Sequence, residues 1–155
     1  MSPQADVMAG TLERGRQVLE QEAGAVAALA KRLDQRFTEA VRLLVTCRGR
    51  IVVSGVGKSG VIARKIAATL TSTGSPANYL HAVDSVHGDL GIVGRDDVAI
   101  LLSKSGETDE LFPLVAFLKD ALQGNPPVFG ACRGQSRSRH RRIRQDISPE
   151  LPYRD

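Results

Sequence analysis

Two segments of this 155-residue chain share one grammar: a short β-branched apolar run, a turn rich in glycine and hydroxyls, then an amphipathic helical pattern. In the first, Arg50-Ile-Val-Val-Ser54 runs into Gly55-Val56-Gly57-Lys58-Ser59-Gly60. A helix is predicted over residues 59–73, with Ile62, Ile66 and Leu70 on one face and Gly74-Ser75-Pro76 as its stop. In the second, Asp97-Val-Ala-Ile-Leu-Leu102 runs into Ser103-Lys104-Ser105-Gly106-Glu107-Thr108. The helix predicted over residues 108–120 turns Leu111, Leu114, Val115 and Leu118 inward and tolerates Pro113 near its first turn. Between the two lie a short strand at residues 77–80 and one helical turn at 84–90, which carries His87-Gly88-Asp89-Leu90-Gly91. Continuous apolar strands joined through helices read as a parallel sheet buried on both faces.

The order strand, helix, strand, turn, strand, helix is that of a doubly wound α/β domain. Ligands of such sheets bind beyond the carboxyl ends of the strands, where all three turn blocks fall. We assign residues 1–48 to an N-terminal helical segment, 49–131 to the sheet domain and 132–155 to an Arg-rich irregular tail. In the helical segment, small or apolar residues recur at Leu19, Ala23, Val26, Ala30, Leu33, Phe37, Ala40 and Leu44. This 4-3 alternation is the seam of a helix packed lengthwise on another, as one long helix or two with a break near Gly24. It fits packing on the chain's own domain and a subunit interface equally. After Lys119 the periodicity stops. Pro127-Val128-Phe129 is a candidate start of a fourth strand, and the Arg/Ser/Gln-rich stretch beyond it has the composition of a disordered tail.

The net charge of +4 looks like a nucleic-acid signal until it is divided. Residues 1–120 hold 14 Lys/Arg and 14 Asp/Glu, whereas residues 121–155 hold 7 Arg and 3 acids. The excess sits in a tail without interleaved aromatics, so no nucleic-acid partner is expected. No apolar run approaches the roughly 18–20 residues of a membrane helix. The N-terminal MSPQADVMAG lacks the basic start and apolar core of a secretory signal. Cys47 and Cys132 have no metal spacing and read as reduced thiols, and the expected location is the cytoplasm.

Gly55-x-Gly57-x-x-Gly60 has the letters of a dinucleotide fingerprint, which also needs a ribose-binding acid about 20 residues on. Here the second strand ends at Leu80-His81, with no carboxylate before Asp84. A P-loop would need glycine where Val52 stands. What survives is a tight turn that presents Lys58 at the mouth of the sheet, weighed against an ordinary solvated lysine. Ser103-x-Ser105-Gly106-x-Thr108 gathers three hydroxyls at a helix start. Capping by Thr108 uses one or two of them, and a phosphate cradle uses all three. Backbone N–H groups at two helix starts then suggest a site for a small phosphorylated molecule. His81 and His87 stand beside the same strand ends and are candidates for ligand contact. No cluster offers the three or four ligands of a structural zinc site.

Together, G-V-G-K-S-G, A-A-T-L-T-S-T-G-S-P, H-A-V-D-S-V-H-G-D-L-G and S-K-S-G-E-T-D-E resemble segments of the sugar isomerase (SIS) domain, in order and spacing. The resemblance is closest to the D-arabinose 5-phosphate isomerase family of lipopolysaccharide and capsule sugar synthesis. It implies a three-layer SIS-type α/β fold, a parallel sheet flanked by helices and preceded by N-terminal helices. It implies interconversion of D-arabinose 5-phosphate and D-ribulose 5-phosphate, feeding Kdo synthesis, with no cofactor, in a homo-oligomer (dimer or tetramer). Lys58 and Glu110 match catalytic positions of that family. Gly74, Ser75, His81 and His87 match its substrate contacts, and His81 a site where zinc inhibits. The chemistry suits these residue types. An aldose–ketose exchange passes through an enediol, so it needs a base, such as a carboxylate raised from about 4.3 by burial, and a group to stabilise the enediolate. Glu107 and Glu110 stand three apart near a helix start, and only the family pattern selects Glu110.

The family's further glutamate and histidine segments and its CBS domains have no counterpart here. The sheet is therefore expected to be incomplete at the C-terminus, with the third strand short of partners, activity weak or absent, and the tail a product of truncation or frame change. The competing reading is a non-catalytic sugar-phosphate-binding SIS module. A dinucleotide-binding protein is disfavoured by the missing ribose acid.

Overall fold

A computed structural model of the chain describes residues 3–85, 88–104, 106, 108–122 and 128–131. The chain falls into two compact units, Met1–Glu39 and Ala40–Asp155. In the first, α1 (Pro3–Ala30) runs straight through Gly24. An exposed helix tolerates glycine at about 1 kcal/mol, so the expected break is not there. It falls at residues 31–34, where Asp34 starts α2 (Gln35–Val45). The Asp34 carboxylate accepts the Arg36 N–H at 3.0 Å, an N-cap bond. The Arg36 guanidinium hydrogen-bonds the same carboxylate and holds it below the usual carboxylate range. The seam residues Leu19, Val26, Leu33 and Phe37 are each more than half exposed.

The second unit is built on four parallel strands: β1 (Ile51–Gly55), β2 (Ala77–His81), β3 (Val98–Ser103) and β4 (Val128–Ala131). Their order is β2-β1-β3-β4, with Ile51 beside both Ala77 and Val98, and Ile100 beside Val128. Every residue of β1 is buried, as its unbroken apolar run predicts. Alternation sends Ile51 and Val53 to one face, against Ala63 and Ala67 of α3 (Lys58–Ser72). Val52 points to the other, with Leu80, Ala99 and Leu101, against Leu114, Val115 and Leu118 of α5 (Phe112–Ala121). Each fully buried leucine here contributes about 1.5–3 kcal/mol through the water it sheds. The outcome is a three-layer α/β fold.

Three expectations need correction. The single turn at residues 84–90 is two pieces, α4 (Ala82–Ser85) and a 3-10 turn, Asp89–Ile92. The helix predicted over residues 108–120 begins later, as α5 at Phe112 after a 3-10 turn at Asp109–Leu111, and it ends at Ala121 with Leu122 buried. The third strand is not left uncovered: β4 pairs along its outer edge, giving that row of N–H and C=O groups partners. At the amino end of the sheet, buried Asp97 accepts the N–H groups of Arg50 at 2.7 Å and Gly94 at 2.8 Å, clamping β1 to β3. Cys47 is a free thiol, and Cys132 with the rest of the tail lies outside the described residues. No helix among the described residues is long and apolar enough to cross a membrane.

Candidate functional site

From β1 the chain crosses to β2 on one side, and from β3 to β4 on the other. This reversal opens a crevice at the carboxyl edge, where doubly wound sheets bind ligands. The first turn block stands there. Gly57 has φ of +57°, a conformation in which a side chain would be strained. Gly60 draws α3 against the end of β1, since a Cβ there would lie 2.7 Å from the Gly55 carbonyl oxygen. The N–H groups of Ser59 and Gly60 close onto the Val56 carbonyl at 3.1 and 3.4 Å. They are therefore spent inside the turn, not offered to a phosphate as expected. What the block presents outward is Lys58, the first residue of α3, exposed and without an ion pair among the described residues.

The third block is organised by Ser103, the last residue of β3 and only 4% exposed. Its Oγ accepts the Gly106 N–H at 2.9 Å and lies 2.8 Å from Thr108 Oγ1. Ser103 is thus an inward brace of the turn, where the sequence suggested an open phosphate donor. Thr108 makes no side-chain capping bond, because its hydroxyl is turned to Ser103. A hydroxyl carries one proton and two acceptor sites. Ser103 can therefore accept from Gly106 and donate to Thr108, which leaves the Thr108 proton for a ligand. Ser105 and Glu107 lie outside the described residues. Glu110 sits in the 3-10 turn Asp109–Leu111 that leads into α5, and it is exposed, where a buried base was expected.

His81 ends β2, beside Gly55 in the register. It is half-buried, and its Nδ1 has no hydrogen-bond partner; Asp84 Oδ2 stands 3.6 Å away. Zinc on His81 would find this imidazole and one carboxylate, short of the three or four ligands a held zinc needs. No group of three His, Cys, Asp or Glu suited to a metal occurs among the described residues. His87 lies outside them. Gly74 and Ser75 are not brought to this edge. The Gly74 N–H bonds the Thr71 carbonyl at 3.2 Å and the Ser75 N–H that of Leu70 at 2.9 Å, with Gly74 at φ +91°, a Schellman stop to α3. They precede β2, so the full length of that strand, roughly 15 Å at about 3.3 Å per residue, separates them from His81.

Two neighbours of the site escaped the sequence reading. Tyr79 shares the α3 face of β2 with His81, and strand periodicity alone could have signalled it. Ser54 is fully buried one residue before the first turn, with no partner for its hydroxyl. A serine inside an apolar strand was the available signal.

The SIS-domain family model matches residues 44–131. The arabinose 5-phosphate isomerase KpsF of Escherichia coli O6:H1 is 44% identical over 106 residues, which cover 68% of this chain and 32% of that protein. The arabinose 5-phosphate isomerase GutQ of Escherichia coli K12 is 42% identical over 121 residues, covering 74% and 38%. The chain thus spans about a third of the length of these curated relatives. Among solved structures, E. coli CFT073 c3406 in complex with A5P superposes with a TM-score of 0.75 at 35% identity, covering 95% of this chain and 72% of that one.

Proposed function

This chain belongs to the SIS-domain family, and we propose that it binds a pentose 5-phosphate at the carboxyl edge of its sheet and interconverts D-arabinose 5-phosphate with D-ribulose 5-phosphate. One observation carries the reading. Lys58, His81 and the Ser103–Thr108 pair come from three separate blocks, yet all stand at the ends of adjacent parallel strands. The similarity to KpsF and GutQ, named arabinose 5-phosphate isomerases, and to c3406 in complex with A5P supports a sugar phosphate as the ligand.

In this proposal Thr108 and Ser105 hold the phosphate, while Ser103 braces their turn. Glu110 takes the proton from one of the two carbons that exchange the carbonyl and returns it to the other. Lys58 and His81 steady the negative oxygen of the enediolate between those steps. Gly74 and Ser75, which the family resemblance matches to substrate contacts, stand before β2 and not at this edge of the sheet. Self-association through the helical segment is part of the same proposal, supported by the exposed seam from Leu19 to Phe37. So are a cytoplasmic location and a place in Kdo synthesis. The second reading, sugar-phosphate binding without turnover, is favoured by the exposure of Glu110.

Incubating the purified protein with D-arabinose 5-phosphate and following ketose formation, with melting curves in parallel, separates the two. Ligand at 100 times its Kd stabilises by about 2.7 kcal/mol. Turnover with a melting shift supports the isomerase, and a shift alone selects the binding module. Neither response sinks both.

A further inference from the structure

Tyr79 touches three separate parts of the carboxyl edge. It lies two residues before His81 on β2, so the period of the strand puts both side chains on the α3 face. Its hydroxyl donates to the Gly55 carbonyl at 3.3 Å, the same oxygen against which Gly60 packs. Its ring meets the His81 imidazole nearly at right angles, 74°, with centroids 6.3 Å apart, within the favourable range for such pairs. Arg64 of α3 places its guanidinium carbon 4.7 Å from the ring centroid, a cation–π contact. His81 depends on such a neighbour. With no hydrogen-bond partner on Nδ1 and Asp84 at 3.6 Å, packing orients its ring.

We propose that Tyr79 is a positioning residue that couples the Lys58 turn to the His81 imidazole, so that the amine and the imidazole keep a fixed relation across the crevice. Arg64 and the Gly55 carbonyl tie the Tyr79 ring to α3 and β1, and its edge contact passes that fixed frame to His81. The binding readout rests on the sugar-phosphate reading above; the coupling itself does not. Lys58 and His81 address the sugar end of the ligand, and the Ser103–Thr108 turn addresses phosphate. Loss of Tyr79 therefore weakens D-arabinose 5-phosphate and spares inorganic phosphate.

Two variants divide the contacts. Tyr79→Phe removes only the hydroxyl bond to Gly55, whereas Tyr79→Leu also takes the ring from His81 and Arg64. By NMR, the His81 imidazole protons of Tyr79→Phe keep the ring-shifted positions of the native protein, and those of Tyr79→Leu move. His81→Ala shifts the amide resonances of Lys58, Ser59 and Gly60 in the native background and leaves them in place in Tyr79→Leu. By calorimetry, Tyr79→Leu weakens D-arabinose 5-phosphate about tenfold with inorganic phosphate unchanged, and Tyr79→Phe restores most of the loss. Amide shifts that are equal with and without Tyr79 overturn the proposal, as does native affinity in a folded Tyr79→Leu. Native protein that binds no sugar phosphate refutes the functional reading instead, and the amide comparison still decides the coupling. If Tyr79→Leu does not fold, Tyr79→Phe alone must move the amides of Lys58, Ser59 and Gly60; unmoved amides overturn the coupling.

Discussion

Adding a single methyl group at Gly60 tests whether close packing of α3 on β1 builds the site. The new Cβ would stand 2.7 Å from the Gly55 carbonyl oxygen and 3.0 Å from the Tyr79 hydroxyl. Neither can easily give way, because the carbonyl belongs to a buried strand and the hydroxyl is bonded to it. The first turn of α3 must recede. Overpacking a buried contact costs about 1–3 kcal/mol, and the better helix propensity of alanine returns about 0.5–1 kcal/mol. Gly60→Ala should therefore destabilise by up to about 2.5 kcal/mol, or some 4–8 °C of Tm per kcal/mol for a unit of this size. Lys58 rides on the displaced turn, so ligand affinity should fall with it. The same substitution at Gly24 meets nothing within 4 Å. There only the propensity remains, and α1 should gain about 0.5–1 kcal/mol. Thermal melts of both variants, with far-ultraviolet circular dichroism for α1, read the two signs. A Gly60→Ala protein as stable as the native one, with unchanged ligand binding, would refute the reasoning.

Further outcomes are expected. Replacing Ser105 and Thr108 together with alanine removes hydroxyl donors to a dianion, each worth about 1.5–3 kcal/mol, and should lower sugar-phosphate affinity at least about tenfold without unfolding; unchanged affinity in calorimetry argues against the cradle. Lys58→Ala and Glu110→Gln should each reduce any turnover by about 10²–10⁴-fold, and a robust rate in either variant shows the active centre lies elsewhere. Ser54→Ala should raise stability by about 1 kcal/mol, since it deletes a buried hydroxyl that has no partner; a loss of that size in chemical denaturation means the hydroxyl is bonded after all. Charged residues at Val26 and Leu33 should shift sedimentation toward monomer or aggregate, and a native protein that is already a well-behaved monomer removes the subunit role of the seam.

The sheet was legible because its strands are buried on both faces, which makes them continuous apolar runs bounded by glycine. Ile51 to Ser54 and Val98 to Leu102 needed no tertiary knowledge. Lys58 was legible as well, since a tight glycine turn leaves little else to present. The break before α2 was misplaced because a glycine mid-helix attracts more notice than Asp34, whose cap declares itself only through the bond to Arg36. The hydroxyl turn was half legible. Three hydroxyls around Gly106 could be seen, but not that Ser103, as the last strand residue, would face inward and brace the others. Gly74 and Ser75 were set at the site by likeness of sequence. The direction of α3, whose two ends lie at opposite edges of the sheet, moves them away. The face that Tyr79 takes on β2 could be read from strand periodicity, but not its partners, Gly55 and Arg64, which come from two other elements.

The strand order has a consequence for how the chain assembles during synthesis. β1 leaves the ribosome first among the strands, yet it is the one whose two neighbours, β2 and β3, both come later. Ile51 finds Ala77 on one side and must wait for Val98 on the other. Until then an apolar ribbon of Ile51, Val52 and Val53 has one open flank, the kind of edge that recruits foreign strands. Its closure depends on distant pairing, which is slow in comparison with forming α1 or α3. The interval between the synthesis of Ala77 and that of Val98 is therefore when this edge is open to misassembly.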